Sequence, residues 1–223
     1  MKNILIVGGS SGLGLELAKK NHLLGKNVFI TGRTNPEIDY LKFYPLSIKS
    51  STEDVISQID DLLTKTGNID ELIYAAGFNQ ESHIDNLSDE QILEIVNIGI
   101  TAPAIFAQRL KSKFKNPIDI IFITSSSQYT PRELEPMYTT TKAGMGMLGA
   151  SLSLDDGIGK VLVTAVSGMK TAFWRNIDKD ISSFLDPEWV AQQIMNLSDA
   201  EFKYRFVKIL RNPNKVDIVE SRK

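Results

Sequence analysis

The feature that most constrains the fold is a glycine-rich turn between a short apolar run and a helical pattern. The apolar run, Asn3 to Val7, leads directly into GGSSGLG at positions 8–14. Leucines then recur at helical spacing, and positions 27–31 form a second apolar, β-branched run. The start of the chain therefore predicts a strand, a tight turn, a helix and a parallel strand. A βαβ unit of this kind implies a parallel sheet with a right-handed crossover.

The rest of the chain continues the alternation of strands and helices. Further strands are predicted at 41–48, 71–76, 119–124, 161–166 and 202–210, the last as an edge strand. Helices are predicted to begin at the candidate capping boxes Ser50–Glu53 and Ser88–Gln91, at Tyr138 and at Asp186–Pro187. Pro103 is expected to bend the helix that starts near Ser88. We expect one doubly wound, Rossmann-type α/β domain over 1–223, with a parallel sheet of about seven strands and helices on both faces.

The composition argues against several classes of protein. The 223 residues carry a formal net charge of −2, so the chain lacks the basic excess typical of nucleic-acid binding. It contains no cysteine, and His22 and His83 have no partner at metal-ligand spacing. No run approaches the ~18 apolar residues of a membrane span. We therefore expect a soluble, cytoplasmic protein with no metal, nucleic-acid or membrane partner.

The spacing of the glycines indicates a phosphate site. The turn reads G-x-x-x-G-x-G, and glycine lets a backbone turn sharply and approach a diphosphate closely. The following helix presents free N–H groups and the positive end of its dipole. A tight turn without a ligand is the alternative, but the position between strand and helix favours binding. The predicted contacts are Gly8, Ser10, Ser11, Gly12, Leu13 and Gly14.

The end of the second strand bears on which dinucleotide binds. An NAD site usually has a carboxylate here that accepts hydrogen bonds from the ribose hydroxyls. At this point the chain has Arg33, and the first acidic residue after the second strand is Glu37. A guanidinium suits a 2′-phosphate, although a solvated surface arginine is the alternative. We therefore predict NADP(H) rather than NAD as the cofactor.

A serine, a tyrosine and a lysine form a candidate catalytic group. Ser125 ends an apolar run, Tyr138 comes 13 positions later, and Lys142 comes four positions after that. Positions four apart share a helix face, so the lysine ammonium can lie near the phenol. A nearby cation lowers the pKa of a tyrosine, which suits proton transfer to or from a carbonyl oxygen. Ser125, the glycine turn, Arg33 and Gly77 all follow predicted strands, so we expect them at one edge of the sheet.

Taken together, these elements resemble the short-chain dehydrogenase/reductase family from position 3 to about 174. The matching residues are Gly8, Gly12, Gly14, Asn97, Ser125, Tyr138 and Lys142. The resemblance implies a nicotinamide-dependent oxidoreductase that acts on a carbonyl or alcohol. It also implies that Ala76, Gly77 and Thr171 lie beside the cofactor.

The resemblance assigns a role to each member of the catalytic group. Tyr138 is implied as the general acid or base, and Ser125 as the hydrogen-bond donor to the substrate oxygen. Lys142 is implied to lower the pKa of Tyr138 and to hold the nicotinamide ribose. Asn97 is implied to support a water that relays protons to Lys142. The spacing to the tyrosine favours Ser125 over the adjacent Ser126 and Ser127.

Several positions depart from the family's pattern. Tyr74 and Ala75 stand where the family has two asparagines, and Ser47 stands where it has an aspartate near the adenine. The Pro-Gly after strand six is missing, although Thr171 is present. The segment 171–186, which corresponds to the family's substrate lid, is short. Its apolar residues either line a pocket or pack against the domain or a second subunit; they are Phe173, Trp174, Ile177 and Phe184.

Two functional hypotheses stay open. The first is an NADP(H)-dependent reductase or alcohol dehydrogenase that acts on a small or medium carbonyl compound. The second is a non-catalytic, nucleotide-binding regulatory or interaction protein on the same fold. An isomerase or epimerase usually needs a larger substrate domain. The helix after Tyr138 has unusually small side chains, which predicts close packing and a homodimer or homotetramer.

Overall fold

The computed structural model describes residues 1–114, 116–175 and 178–223. The strands are β1 Asn3–Val7, β2 Asn27–Gly32, β3 Lys42–Pro45, β4 Glu71–Tyr74, β5 Ile118–Ser125, β6 Ile158–Val166, β7 Tyr204–Leu210 and β8 Lys215–Arg222. The longer helices are α1 Gly12–Leu23, α2 Thr52–Thr66, α3 Asp89–Val96, α4 Ala102–Lys113, α5 Pro136–Leu152 and α6 Pro187–Ser198. Short helical turns occur at Ile84–Asn86, Asn97–Thr101, Ser126–Gln128 and Ala172–Trp174.

All of these strands form one sheet with helices on both faces. The strand order is β3-β2-β1-β4-β5-β6-β7-β8, and every neighbouring pair is parallel except β7 and β8. One buried apolar cluster includes side chains of α2, α4 and α5, and a second includes those of α1 and α6. The predicted doubly wound α/β fold is therefore confirmed.

The strand order reverses between β1 and β4. The chain places β2 and β3 to one side of β1 and then returns to place β4 on the other side. In sheets of this type, ligands bind beyond the carboxyl ends of the strands at the point of reversal. The glycine turn leaves β1 at this point, and positions 75–77 leave β4 beside it.

The last strand is the main difference from the expected sheet. β8 runs antiparallel to β7, so the sheet has eight strands and the segment 202–210 is not its edge. The apolar pattern of β8 is weak because much of an edge strand faces water. Ile218 and Val219 are 52% and 50% exposed, and charged residues flank them. Charges on an edge strand discourage pairing with other chains.

The helix starts test the predicted caps. Ser88 forms the predicted capping box with Gln91, and both reciprocal hydrogen bonds are present. Asp186 caps α6 through two backbone N–H groups, as predicted. α2 begins one residue later than predicted, because Ser51 rather than Ser50 accepts the N–H three residues on. Two adjacent serines are followed by two adjacent acids here, so spacing alone does not select the cap.

The helical run between α3 and α4 contains a π-turn, Asn97–Thr101. The Ala102 N–H donates to the carbonyl five residues back. In that register the partner of the Ile98 carbonyl would be Pro103, which has no N–H. The Tyr74 hydroxyl supplies the missing donor at 2.6 Å from the Ile98 oxygen. The disturbance predicted at Pro103 is therefore a π-turn just before it, and Tyr74 satisfies the carbonyl that it leaves free.

The continuous run Asp89–Lys113 is long and apolar enough to cross a membrane by length and composition alone. In the fold, its residues contribute to the apolar cluster shared with α2 and α5. Core helices of folded domains have the same composition, so this run carries no membrane assignment.

Candidate active site

The predicted site residues collect at the carboxyl edge of the sheet. The glycine turn follows β1, Arg33 follows β2, Ala76 and Gly77 follow β4, Ser125 ends β5, and Thr171 follows β6. These strands are parallel, so their carboxyl ends face the same edge. Two of the loops approach each other closely, because a Cβ added to Gly12 would lie 3.3 Å from the Thr171 side chain.

Close backbone contacts require two glycines of the turn. Gly8 has φ of +83°, and a Cβ there would lie 2.7 Å from the Ala76 nitrogen. A Cβ on Gly14 would lie 2.2 Å from the Gly8 oxygen. Both distances are shorter than real Cβ contacts, so a larger residue would force the backbone apart. The glycines thus let the turn pack against α1 and against the segment that follows β4.

The N-terminus of α1 has the properties of an anion site. Ser11 is the N-cap, but its side chain makes no capping hydrogen bond, and the first turn contains no acidic residue. The unsatisfied N–H groups and the positive end of the helix dipole therefore favour an anionic ligand. The Leu13 side chain is buried and anchors the helix in the core, so its contribution to a ligand site comes from its backbone.

Arg33 lies next to the glycine turn at the exposed end of β2. The Ser10 hydroxyl packs on the neighbouring Gly32, where a Cβ would lie 2.0 Å from its oxygen. Arg33 itself is exposed. Among the ion pairs of residues 1–114, 116–175 and 178–223, none involves Arg33. Its guanidinium can therefore meet an anionic group beside the turn.

α5 brings the predicted tyrosine and lysine to the end of β5. Tyr138 is 8% exposed and Lys142 is 6% exposed. The Lys142 ammonium lies 5.6 Å from the centre of the Tyr138 ring and donates to the Ile123 carbonyl at 3.3 Å. A Cβ on Gly77 would lie 3.3 Å from the same ammonium, so the glycine gives the lysine room. The fold thus brings Tyr138, Lys142 and the segment after β4 together.

The electrostatics of Tyr138 differ from the sequence prediction. Burial raises the pKa of Tyr138 to about 12, a hydrogen bond with Ser125 lowers it in part, and the negative charge of Glu135 raises it further. Burial also lowers the pKa of Lys142 to about 8. The predicted lowering of the Tyr138 pKa by Lys142 is not found, because the desolvation of a buried phenol outweighs the effect of its neighbours.

Ser125 is tied to a second serine and to a glutamate. Its Oγ accepts a hydrogen bond from the Ser127 N–H at 3.2 Å and donates to the Ser127 Oγ at 3.3 Å. The Ser127 Oγ in turn donates to Glu135 Oε2 at 3.0 Å. Glu135 belongs to no sequence motif, and spacing to the tyrosine gives Ser127 no role. The hydrogen bonds that join Ser125, Ser127 and Glu135 become apparent only in the fold. The one signal in the sequence is that Glu135 is a carboxylate three positions before Tyr138.

Asn97 lies in the π-turn and is 2% exposed. Its amide donates to the carbonyls of Lys49 and Ser50 at 2.8 and 3.0 Å. Its Oδ1 accepts from the Thr52 hydroxyl at 3.0 Å. The side chain therefore fixes the segment that leads into α2. Its implied water relay to Lys142 stays a prediction.

Aromatic side chains of the segment 171–186 lie in a row that extends to the Tyr138 ring. The Phe173 ring lies 6.2 Å from the Tyr138 ring. Trp174 lies 5.1 Å from Phe173, and Phe184 lies 5.3 Å from Trp174, between ring centres. Phe184 is 7% exposed and belongs to the packed body, whereas Phe173 lies next to Tyr138. Ile177 lies outside the described residues.

A doubly wound sheet with a glycine-rich turn at its point of reversal defines a dinucleotide-binding α/β protein. The profile of the family described as short chain dehydrogenase matches residues 2–182 of this chain. The chain therefore belongs to the short-chain dehydrogenase/reductase family.

Relatives and solved structures agree with this assignment. The uncharacterized oxidoreductase DltE of Bacillus subtilis (strain 168) is 30% identical over 162 residues, which cover 67% of this chain and 63% of that protein. The match thus spans less than two thirds of that relative. A short-chain dehydrogenase from Sphingobium yanoikuyae in complex with NADPH has a TM-score of 0.79 at 20% identity, covering 89% of this chain and 85% of that chain. The 3-ketoacyl-(acyl-carrier-protein) reductase from Brucella melitensis complexed with NADH has a TM-score of 0.77 at 18% identity, covering 95% and 97%. At these identities the two structures show the shared fold alone.

Proposed function

We propose that the chain is an NADP(H)-dependent reductase or alcohol dehydrogenase that acts on a small or medium carbonyl compound. The proposal rests above all on the proximity of Tyr138, Lys142 and Ser125 at the end of β5, on the same sheet edge as the glycine turn. Membership of an oxidoreductase family supports it.

The glycine turn and its neighbours fit a dinucleotide. The open N-terminus of α1 and the closely packed glycines suit a diphosphate. Arg33 suits a 2′-phosphate, which favours NADP(H) over NAD. The fold neighbours include complexes with NADPH and with NADH, so they support a nicotinamide cofactor of either type. The proposed contacts are Gly8, Ser10, Ser11, Gly12, Leu13, Gly14, Arg33, Ala76, Gly77, Tyr138, Lys142 and Thr171.

The proposed mechanism uses Tyr138 as the general acid when a carbonyl is reduced. Its raised pKa keeps the phenol protonated at neutral pH, so the proton is available as the carbonyl oxygen gains charge. Ser125 donates a hydrogen bond to the same oxygen and stabilises that charge. Lys142 would hold the nicotinamide ribose, and Asn97 is its proposed partner in a water relay. When bound, the nicotinamide cofactor supplies the hydride.

The segment 171–186 indicates which kind of substrate suits the site. Phe173 lies against Tyr138, and Trp174 packs behind it. An apolar surface beside the proton donor favours a carbonyl with an apolar or aromatic substituent. The short segment 171–186 suits a small or medium substrate rather than one that needs a large enclosing lid.

A panel of aldehydes and ketones tests this proposal. Binding of NADPH and NADH is measured first by titration, and turnover is then followed by oxidation of the bound form. We expect turnover of apolar carbonyls with a preference for NADPH. Binding of NADPH without turnover across the panel would instead support the regulatory or interaction protein. Failure to bind either dinucleotide would refute the proposal at its first step.

We further propose that 1–223 is a single domain that forms a homodimer or homotetramer in the cytoplasm. Gly146 and Gly149 face the body, where a Cβ on Gly149 would lie 2.5 Å from Val163. Met147 and Leu154 of the same helical region are 67% and 76% exposed. Exposed apolar side chains beside small residues suit a symmetric interface. Light scattering after size-exclusion chromatography gives the oligomeric mass, and a monomer would contradict this part.

A further inference from the structure

Tyr138 needs a source of protons if it is the general acid of the proposed function. Each reduction transfers its phenolic proton to the substrate oxygen, so the phenolate must regain one before the next turnover. Tyr138 is 8% exposed, and direct exchange with water is therefore restricted. A connected series of hydrogen-bonding groups that reaches the surface is the usual solution.

The structure contains one such series on the Ser125 side of the tyrosine. The Ser125 side chain is near enough to the Tyr138 phenol to influence its pKa. The Ser125 Oγ lies 3.3 Å from the Ser127 Oγ, which lies 3.0 Å from Glu135 Oε2. Ser127 is 5% exposed, whereas Glu135 is partly exposed at the start of α5. The hydrogen-bonded series therefore runs from Ser125, beside the buried phenol, to a carboxylate that meets solvent.

We propose that Ser127 and Glu135, acting through Ser125, form a proton path between Tyr138 and solvent. After reduction, the Tyr138 oxygen takes the hydroxyl proton of Ser125. Ser125 takes the proton of Ser127, and Ser127 takes one that has reached the Glu135 carboxylate from water. Each hydroxyl loses one O–H bond and regains another, so the net change is one proton from solvent to Tyr138. Oxidation of an alcohol runs the same path outward.

The side chain that the family resemblance implies for this task is occupied elsewhere. Both N–H groups of the Asn97 amide donate to carbonyls before α2, and its Oδ1 accepts from Thr52. Lys142 donates to the Ile123 carbonyl. A relay through Asn97 and Lys142 would include a water, whereas Ser125, Ser127 and Glu135 are joined directly by hydrogen bonds.

Three charged side chains lie at or near Tyr138 and the proposed path. Lys142 approaches Tyr138 from α5, and Glu135 approaches it from the start of the same helix. Arg132, in the loop before α5, donates to the Ser126 hydroxyl at 3.2 Å. The neighbouring lid side chain, Phe173, is uncharged. Loss of the Glu135 charge removes one of the influences that raise the pKa of Tyr138.

Variants of Ser127 and Glu135 test the path in the full chain, with NADPH and a carbonyl substrate found by the panel. Ser127→Ala and Glu135→Gln are each expected to lower kcat about tenfold with KM retained, a modest part of what general acid–base catalysis contributes. In Glu135→Gln, kcat should also rise with buffer concentration, because a small buffer acid can deliver the proton that the missing carboxylate no longer passes on. Ser127→Thr keeps a hydroxyl and should retain turnover. Glu133→Gln, an exposed carboxylate two positions away, is the matched control.

The outcomes separate the path from the proposed function. Wild-type kcat and no buffer dependence in Ser127→Ala and Glu135→Gln would overturn the path while leaving the reductase intact. Equal losses in Ser127→Ala and Ser127→Thr would show that packing matters there rather than the hydroxyl, and would overturn it as well. If Ser127→Ala does not fold, the Glu135→Gln variant still tests the path, because Glu135 is partly exposed. A wild-type chain that binds NADPH but reduces nothing refutes the proposed function, and the path with it.

Discussion

Replacing Lys142 by methionine tests whether the site holds a desolvated ammonium. The side chain is 6% exposed, and burial lowers its pKa from 10.5 to about 8. Each unit of pKa shift corresponds to about 1.4 kcal/mol, so the charged lysine costs the fold about 3 kcal/mol near neutral pH. Methionine has a similar length and no charge. Lys142→Met should therefore be more stable than the wild type at pH 7 by up to about 3 kcal/mol.

The sign of the pH dependence follows from proton binding. Between pH 8 and 10.5 the unfolded lysine binds a proton that the folded lysine has released. The unfolded state then carries more protons, so wild-type stability gains from rising pH. From pH 7 to 9.5 this gain is about 2 kcal/mol for the pKa values above. Because the methionine variant has no such gain, the difference between the two proteins should shrink by the same amount.

Urea unfolding at several pH values measures this difference. Comparing the two proteins at each pH cancels the other titrating groups, including the tyrosines with raised pKa values. Lys65→Met, at an exposed position of α2, is the control and should show no comparable trend. A stability difference between Lys142→Met and wild type that stays constant from pH 7 to 9.5 would refute the claim that Lys142 is desolvated.

Three other substitutions give separate tests. Tyr74→Phe leaves the partly buried Ile98 carbonyl without its donor and should cost about 1–3 kcal/mol in urea unfolding; an unchanged midpoint would contradict the role given to Tyr74. Gly14→Ala forces a Cβ against the Gly8 oxygen and should cost about 1–3 kcal/mol and weaken dinucleotide binding, whereas normal binding would show that the turn is not tightly fixed. Arg33→Ala should raise the Kd for NADPH about tenfold and leave the Kd for NADH unchanged. Equal increases in both Kd values would contradict the proposed contact between Arg33 and the 2′-phosphate.

Much of the fold was predictable because its signals are local. The glycine turn, the buried strands and the caps at Ser88 and Asp186 depend on residues close together in sequence. β8 was missed because an exposed edge strand needs little apolar periodicity. The start of α2 was displaced by one residue because Ser50 and Ser51 offer the same chemistry.

The site was predictable in position but not in its electrostatics. Spacing placed Tyr138 and Lys142 on one helix face, and the structure confirms their proximity. The direction of the Tyr138 pKa depends on burial by distant segments, which no spacing rule contains. Tyr74 departs from the family's motif, yet its hydroxyl donates to the Ile98 carbonyl 24 positions away, which Pro103 leaves without a donor. No local pattern predicts a hydrogen bond over that separation.

The most direct test of the proposed function is the turnover of Tyr138→Phe with NADPH. Phenylalanine keeps the ring beside Phe173 and Lys142 and removes only the hydroxyl. We expect NADPH to bind with an unchanged Kd while kcat falls by at least about 100-fold, the usual contribution of a general acid. A kcat close to that of the wild type, with NADPH bound, would contradict the assignment of Tyr138 as the proton donor.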